Sequence, residues 1–405
     1  MNHSRGWVSF GLTFVALAVL ALPCSLWAQG NFVYTNDNIS AANTVSGFSV
    51  AVNGTLTRLS GSPFSTGGTG SEGGYYASNR ITISADGKFL FATNDGSNNV
   101  SVFSINKKTG ALTLVAGSPF ATGGTATCGG YDCGISLAPT WDGKHLIAAS
   151  GGSDDMTVFS IATTGALTPI VGSPFATAGS PDGIKVSPDN KFLVVAEPDI
   201  NEGEIFSIAS DGSLTSLGAG QAPSGGELTG VDANCFPRWV YGSDAAESTL
   251  VSGAMLSKSG GMTRLKGSPY EPGVGVNSNV VLIGNAGGLT IVFVSNQGSN
   301  TITVFTAAVS GALQVVPGAP FAMHAGANQP AGMASSSNGG LLYVANINGT
   351  ISVFSVGSGG ALKEVVGSPF STGQVGGLES LTAFPPRTIP AVQVPLGGCY
   401  ANAVQ

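Results

Sequence analysis

His324, Arg80, Glu227 and Glu379 are the residues of this chain whose types could together move a proton and steady a negative charge. An imidazole beside a carboxylate can draw a proton from water, and a guanidinium can hold a developing oxyanion. Their rarity singles them out: 9% of the 405 residues are charged and three are histidine, His3 lying in the N-terminal leader. Glu72, Tyr76, Asp182 and Asn328 occupy the same class of polar loop and are candidates for binding. Each has a plainer reading. His324 reads equally as an ordinary loop residue, Arg80 as the partner of Glu72, and the two glutamates as solvated groups at a channel mouth. Asp154-Asp155 and the stretch from Asp199 to Glu202 have oxygen ligands for calcium, but read better as solvated acidic loops. The glycine-rich Thr66–Gly70 lacks the lysine and the strand-to-helix setting of a phosphate loop. No metal and no cofactor is therefore expected.

The loops carrying these residues recur with a repeated unit. Gly-x-Leu, a short β-rich run and then Gly-Ser-Pro-Phe appears from Gly54 to Phe64, from Gly110 to Phe120 and from Gly165 to Phe175. A degenerate copy runs from Gly212 to Gly220, and three more run from Gly260 to Tyr270, Gly311 to Phe321 and Gly360 to Phe370. The Leu or Met positions, 56, 112, 167, 214, 262, 313 and 362, fall at steps of 47 to 56 residues. Each unit offers four short β-like runs, such as Leu90–Asn94, the alternating Val100–Ile105, Leu112–Val115 and Ile135–Leu137. Tight turns such as Ala85-Asp86-Gly87-Lys88 separate them. Seven four-stranded units without helical periodicity predict an all-β, seven-bladed β-propeller.

The phase of the repeat predicts the closure. The first run, Phe32–Asn36, is equivalent to a second strand, and the last, Leu378–Phe384, to an innermost one. The C-terminal strand should complete the first blade, a one-plus-three arrangement that removes free edges. Residues 29–386 then form the propeller and 387–405 a proline-rich tail.

Residues 1–28 read as a secretory signal peptide, with Arg5, the apolar Val8–Leu22 and a small residue, Ala28, before Gln29. A secreted or periplasmic location is expected, with no transmembrane span after cleavage. In that setting Cys128 and Cys133, which bracket four residues, are expected to form a disulfide, and Cys235 and Cys399 remain as a second pair by elimination. Glycine is abundant at 61 residues but keeps no three-residue period, which excludes collagen. With 42% hydrophobic residues and a mean hydropathy of +0.28, the chain has material for a core. An isoelectric point near 4.9 excludes a nucleic-acid partner.

The strand pair Leu342-Tyr343-Val344-Ala345-Asn346 and Ile351-Ser352-Val353-Phe354-Ser355, with the Ser187-Pro188-Asp189 turn, resembles the units of lactonase-type seven-bladed propellers. These are the 6-phosphogluconolactonase-like and YVTN-repeat proteins of bacteria. The resemblance covers nearly all of the mature chain and rests on strand and turn residues, so it speaks to the blade more than to the reaction. It implies a lactone hydrolase but carries no site residue over to this sequence; from the residues themselves, His324 with Glu227 or Glu379 is the expected base and Arg80 the oxyanion donor. A phosphorylated substrate is disfavoured, because phosphate recognition calls for clustered Arg or Lys and the loops offer little beyond Arg80. The expected substrate is an unphosphorylated sugar or organic lactone. The rival readings are a non-catalytic propeller binding a surface glycan or an envelope protein, and a structural envelope module. A monomer is expected. Strand alternation places the long loops and the second-to-third-strand loops on one face, where a ligand would sit over the channel.

Overall fold

A computed structural model describes Met1 and residues 30–386, apart from 74–78, 129–130, 221–227, 235–237, 246–249, 272–276 and 375–376. The rest of the leader, the tail, Tyr76, Glu227, Cys235, Cys399 and the side chain of Cys128 lie outside the described residues.

Seven antiparallel sheets form the blades. From the channel outward, blade 1 is Ser380–Phe384, Phe32–Asn36, Thr44–Val50 and Leu56–Arg58. Blade 2 is Ile81–Ile83, Phe89–Asn94, Asn99–Ile105 and Leu112–Leu114, and blades 3 to 5 begin with Ile135–Pro139, Ile184–Val186 and Leu228–Ala233. Blades 6 and 7 begin with Ser278–Ala286 and Pro330–Ser335. The ring closes as the phase of the repeat requires: Phe32 pairs with Phe384 and Asn36 with Ser380.

Second strands are apolar runs because both sheet faces are covered. All six residues of Phe89–Asn94 are buried. Phe89 and Phe91 pack with Leu137, Leu146 and Phe159 of blade 3, so each core cluster lies between blades rather than within one.

The Gly-Ser-Pro-Phe signature has a mechanical role. The fourth strand pairs with the third for only three residues, and the chain must then turn back along the blade's outer edge. Gly117 adopts φ +86°, in the left-handed region where a side chain would be strained, and starts that turn. The following serine accepts a hydrogen bond from a third-strand N–H: Ser62 from Gly47 at 2.9 Å, Ser118 from Val102 at 2.8 Å and Ser368 from Val353 at 3.0 Å. A side-chain oxygen thus stands in for the missing fifth-strand carbonyl. The phenylalanine then rejoins the sheet, as Phe120 does opposite Val100.

The long loops interlock with second-to-third-strand loops on one face. Thr69 N–H donates to Ser97 Oγ at 3.0 Å, and Ser180 N–H to Asp199 Oδ1 at 2.8 Å. On the opposite face the first-to-second-strand turns are self-contained: Ser84 Oγ donates to Asp86 and accepts from Phe89 N–H at 3.0 Å.

Candidate functional site

Arg80 immediately precedes the innermost strand of blade 2, and Glu379 that of blade 1, so the topology brings them to one end of the channel. Arg80 is 1% exposed and forms ion pairs with Asp95 and, at 3.1 Å, with Glu379 Oε2. Asp95 comes from the second-to-third-strand turn of the same blade. Two of the sequence candidates therefore meet, but the plainer reading of Arg80 is corrected. Its partners are Asp95 and Glu379, whereas Glu72 is exposed and accepts from Ser40 N–H at 3.3 Å. A surface residue at position 72 is separated from a guanidinium that sinks to the channel wall.

Asp182 lies two residues before the innermost strand of blade 4, the place that Asn79 holds in blade 2, and is 2% exposed. The neighbouring Asn79 reaches across the channel, its Nδ2 donating to the Ile184 carbonyl at 2.8 Å. That bond links the strand beginnings of blades 2 and 4 across the channel.

Behind Asp182 stands a pair that sequence reasoning did not single out. Glu197 ends the second strand of blade 4 and Glu204 lies on its third strand; both are buried. Glu204 accepts from Ala178 N–H at 3.0 Å and from Ser216 Oγ. Burial pushes the Glu197 carboxyl up to about 8, the negative Glu204 adding to the shift and a Gly179 backbone hydrogen bond opposing it. A signal was present in the repeats. In blades 2, 6 and 7 the equivalent pairs are Asn94–Ser101, Asn296–Thr303 and Asn346–Ser352, each joined by an amide-to-hydroxyl hydrogen bond. Superposing the units shows two glutamates where the others have an amide and a hydroxyl.

The remaining candidates do not join this group. His324 is exposed, its Nδ1 accepting from Gly326 N–H at 3.3 Å. Gly326 in turn lies against Pro369, in the outer turn of blade 7. The expected pairing of His324 with Glu379 is corrected for that reason: the loop runs over the outer rim, and among the described residues no contact links the imidazole to Arg80 or Glu379. Asn328 is exposed on the same loop. Tyr76 and Glu227 fall outside the described residues.

Charge separates the two ends of the ring. The long-loop end gathers Asp37, Asp95, Asp182, Asp199 and Asp244 with Glu197, Glu202, Glu204 and Glu379; Arg80 is the buried cation among them, and Arg58, on the outer strand of blade 1, acts on Asp37. Lys88, Lys144 and Lys191 lie in turns at the other end, as do Lys107, Lys108 and Lys258. That end also holds a cavity of about 230 Å³ in the channel, lined by inner strands and by turn residues such as Trp141, Pro188 and Asn234. The ligand space seen among the described residues thus opens opposite the face where the sequence placed it. No group of three or more metal-ligating side chains suited to an ion occurs among the described residues.

Fold and sequence together define the class. A family model for the lactonase seven-bladed β-propeller matches residues 24–127 and 134–229, and the chain resembles that family in sequence there and in fold throughout the ring. Its relatives then come into view. A 6-phosphogluconolactonase of Formosa agariphila is 37% identical over 86 residues, a segment spanning 21% of this chain and 22% of that protein. Among solved structures, a candidate 6-phosphogluconolactonase of Bacteroides fragilis superposes with a TM-score of 0.68 at 18% identity, covering 89% of this chain and 99% of that one. The periplasmic gluconolactonase of Pseudomonas aeruginosa gives 0.62 at 17% identity, covering 88% and 99%. At such identities the likeness is one of fold.

Proposed function

We propose that this lactonase-like propeller hydrolyses a neutral, unphosphorylated lactone at its long-loop end. One observation carries the choice of substrate: the cation on the channel wall at that end, Arg80, is buried between Asp95 and Glu379 amid further carboxylates. A phosphate dianion entering there would lose water without gaining a countercharge. An uncharged lactone meets no such penalty, and its ring-opened carboxylate product is repelled outward. In the reaction, water adds to the lactone carbonyl, the ring C–O bond breaks, and a hydroxy acid leaves as its carboxylate and a proton. Asp182, a buried carboxylate at the long-loop end, takes the water's proton.

Supporting an exported protein are the apolar leader and the paired cysteines. Cys133 carries no free thiol, and Cys128 lies opposite Tyr131 across a short hairpin, in reach of position 133. We take the protein to work as a secreted or periplasmic monomer whose Cys128–Cys133 bond staples that hairpin.

The test is hydrolysis of D-glucono-1,5-lactone and 6-phosphogluconolactone by the purified protein, followed with a pH indicator. Turnover of the neutral lactone is expected to exceed that of the phosphorylated one. Asp182→Asn should lower kcat by about 10²–10⁴-fold, the contribution of a general base. Preference for the phosphorylated lactone, or no rate above the spontaneous one on either, would overturn the reading.

A further inference from the structure

The cavity at the short-turn end is built as a site, and nothing in the lactonase reading uses it. Its walls come from all seven inner strands. One side is Trp141, whose ring is held by two hydrogen bonds: Nε1 donates to the Val186 carbonyl at 3.2 Å and the backbone N–H to Asn190 at 2.6 Å. Lys185 Nζ stands 5.9 Å over that ring and pairs with Asp232 at 2.8 Å. Asp232 is further held by the N–H groups of Ala233 and Ile283, at 2.9 and 2.8 Å. Across the cavity, Ser335 is buried with an Oγ that has no hydrogen-bond partner among the described residues. A buried hydroxyl facing a cavity without a partner costs free energy unless a ligand or water completes it.

We propose that this cavity binds one ring of a neutral polyhydroxylated ligand, a monosaccharide or the terminal unit of a glycan. Size, charge and wall chemistry agree on that class. The volume, about 230 Å³, is below the ~300–1,000 Å³ of drug-sized pockets and admits a single ring rather than a chain. Lys185 is already neutralised by Asp232, so the wall carries no net charge with which to hold an anion. The ammonium keeps donors beyond the one spent on Asp232, and Thr82 and Thr382 add hydroxyls. The fixed indole offers an apolar face with a polar edge, which suits a ring that is apolar on its face and hydroxylated at its rim.

The test uses intrinsic fluorescence. Trp141 and the buried Trp239 are the tryptophans outside the leader, and Trp141 alone lines the cavity. The probes are D-glucose, D-galactose and sodium gluconate, titrated into the intact protein. A saturable change with a neutral hexose, at millimolar concentration, is expected. Ser335→Val and Trp141→Phe should each weaken it about tenfold or more while lactone hydrolysis continues unchanged, so failure here is distinguishable from failure of the lactonase reading. Because Trp141→Phe removes the reporter, its binding is read by saturation-transfer NMR on the same sugar. A response to gluconate alone, no saturable response to either hexose, or full binding by both variants would overturn the proposal.

Discussion

At one end of the channel Arg80 is almost wholly enclosed between two carboxylates, one of them from a neighbouring blade. At the other end Lys185, whose side chain is 30% exposed, leans on an Asp232 that two backbone N–H groups already satisfy. Both are cation–carboxylate pairs on inner strands, yet their energetic meaning differs. Water can take over the role of Lys185, whereas nothing can replace Arg80 without stranding Asp95 and Glu379 in a dry site. The difference teaches that burial decides what an ion pair is for: the first ties blades together, and the second leaves room for a ligand.

That comparison breaks most visibly at Arg80. Arg80→Met should cost about 3–5 kcal/mol, the penalty for leaving buried charge uncompensated, read as a fall in the urea midpoint. A loss below about 1 kcal/mol would mean that the site is wet and the comparison wrong.

The next effect concerns pH. Glu197 is raised in the folded protein to about 8 and Asp37, buried among the hydroxyls of Thr35, Thr44 and Ser46, to about 6. Each is an acid with a higher folded than unfolded pKa, so the folded state holds the proton more tightly. Their contribution is full below about pH 4, the unfolded carboxyl range, and is lost as pH rises through about 6 for Asp37 and about 8 for Glu197. The lowered Asp86 and Asp142 are ionised throughout and add no slope between pH 5 and 8.5. Thermal unfolding should therefore occur at a higher temperature at pH 5 than at pH 8.5, and Glu197→Gln should flatten the difference. A Tm that rises with pH over this interval would exclude a buried protonated Glu197.

Smaller changes sharpen the contrast from the short-turn side. Lys185→Met should cost no more than about 1 kcal/mol, as for partly exposed pairs; a cost matching that of Arg80→Met would erase the distinction between the ends. His324→Ala, on the outer rim, should change stability by less than about 0.5 kcal/mol and leave the lactone rate intact. A collapse of turnover in that variant would return the imidazole to the site.

The architecture was legible because it is written seven times. Gly-x-Leu marks the turn into the fourth strand, Gly-Ser-Pro-Phe or a variant of it marks the turn out in all blades but the fourth, and the offset between Phe32–Asn36 and the last strand reveals the closure. The site was less legible, since it depends on which loops meet across blades. Proximity in sequence suggested Glu72 for Arg80, while the propeller delivered Glu379, some 300 residues away. His324 looked promising by type, but residue type carries no information on whether a loop bends inward or runs over the rim. Glu197 and Glu204 were hidden for another reason. Among acidic loops they look solvated, and only their register against Asn94 and Ser101 exposes them as buried substitutions.

The closure of blade 1 sets a timetable for the chain. Phe32–Asn36 is made long before its inner neighbour, Ser380–Phe384. Until that late strand arrives, the first blade has an unpaired inner edge, and the ring of inter-blade cores is open between blades 7 and 1. Local hairpins can form early at little entropic cost, yet the long-range pairing that makes them one cooperative body must wait for that strand. Until then a protease or a misplaced strand would find that edge bare.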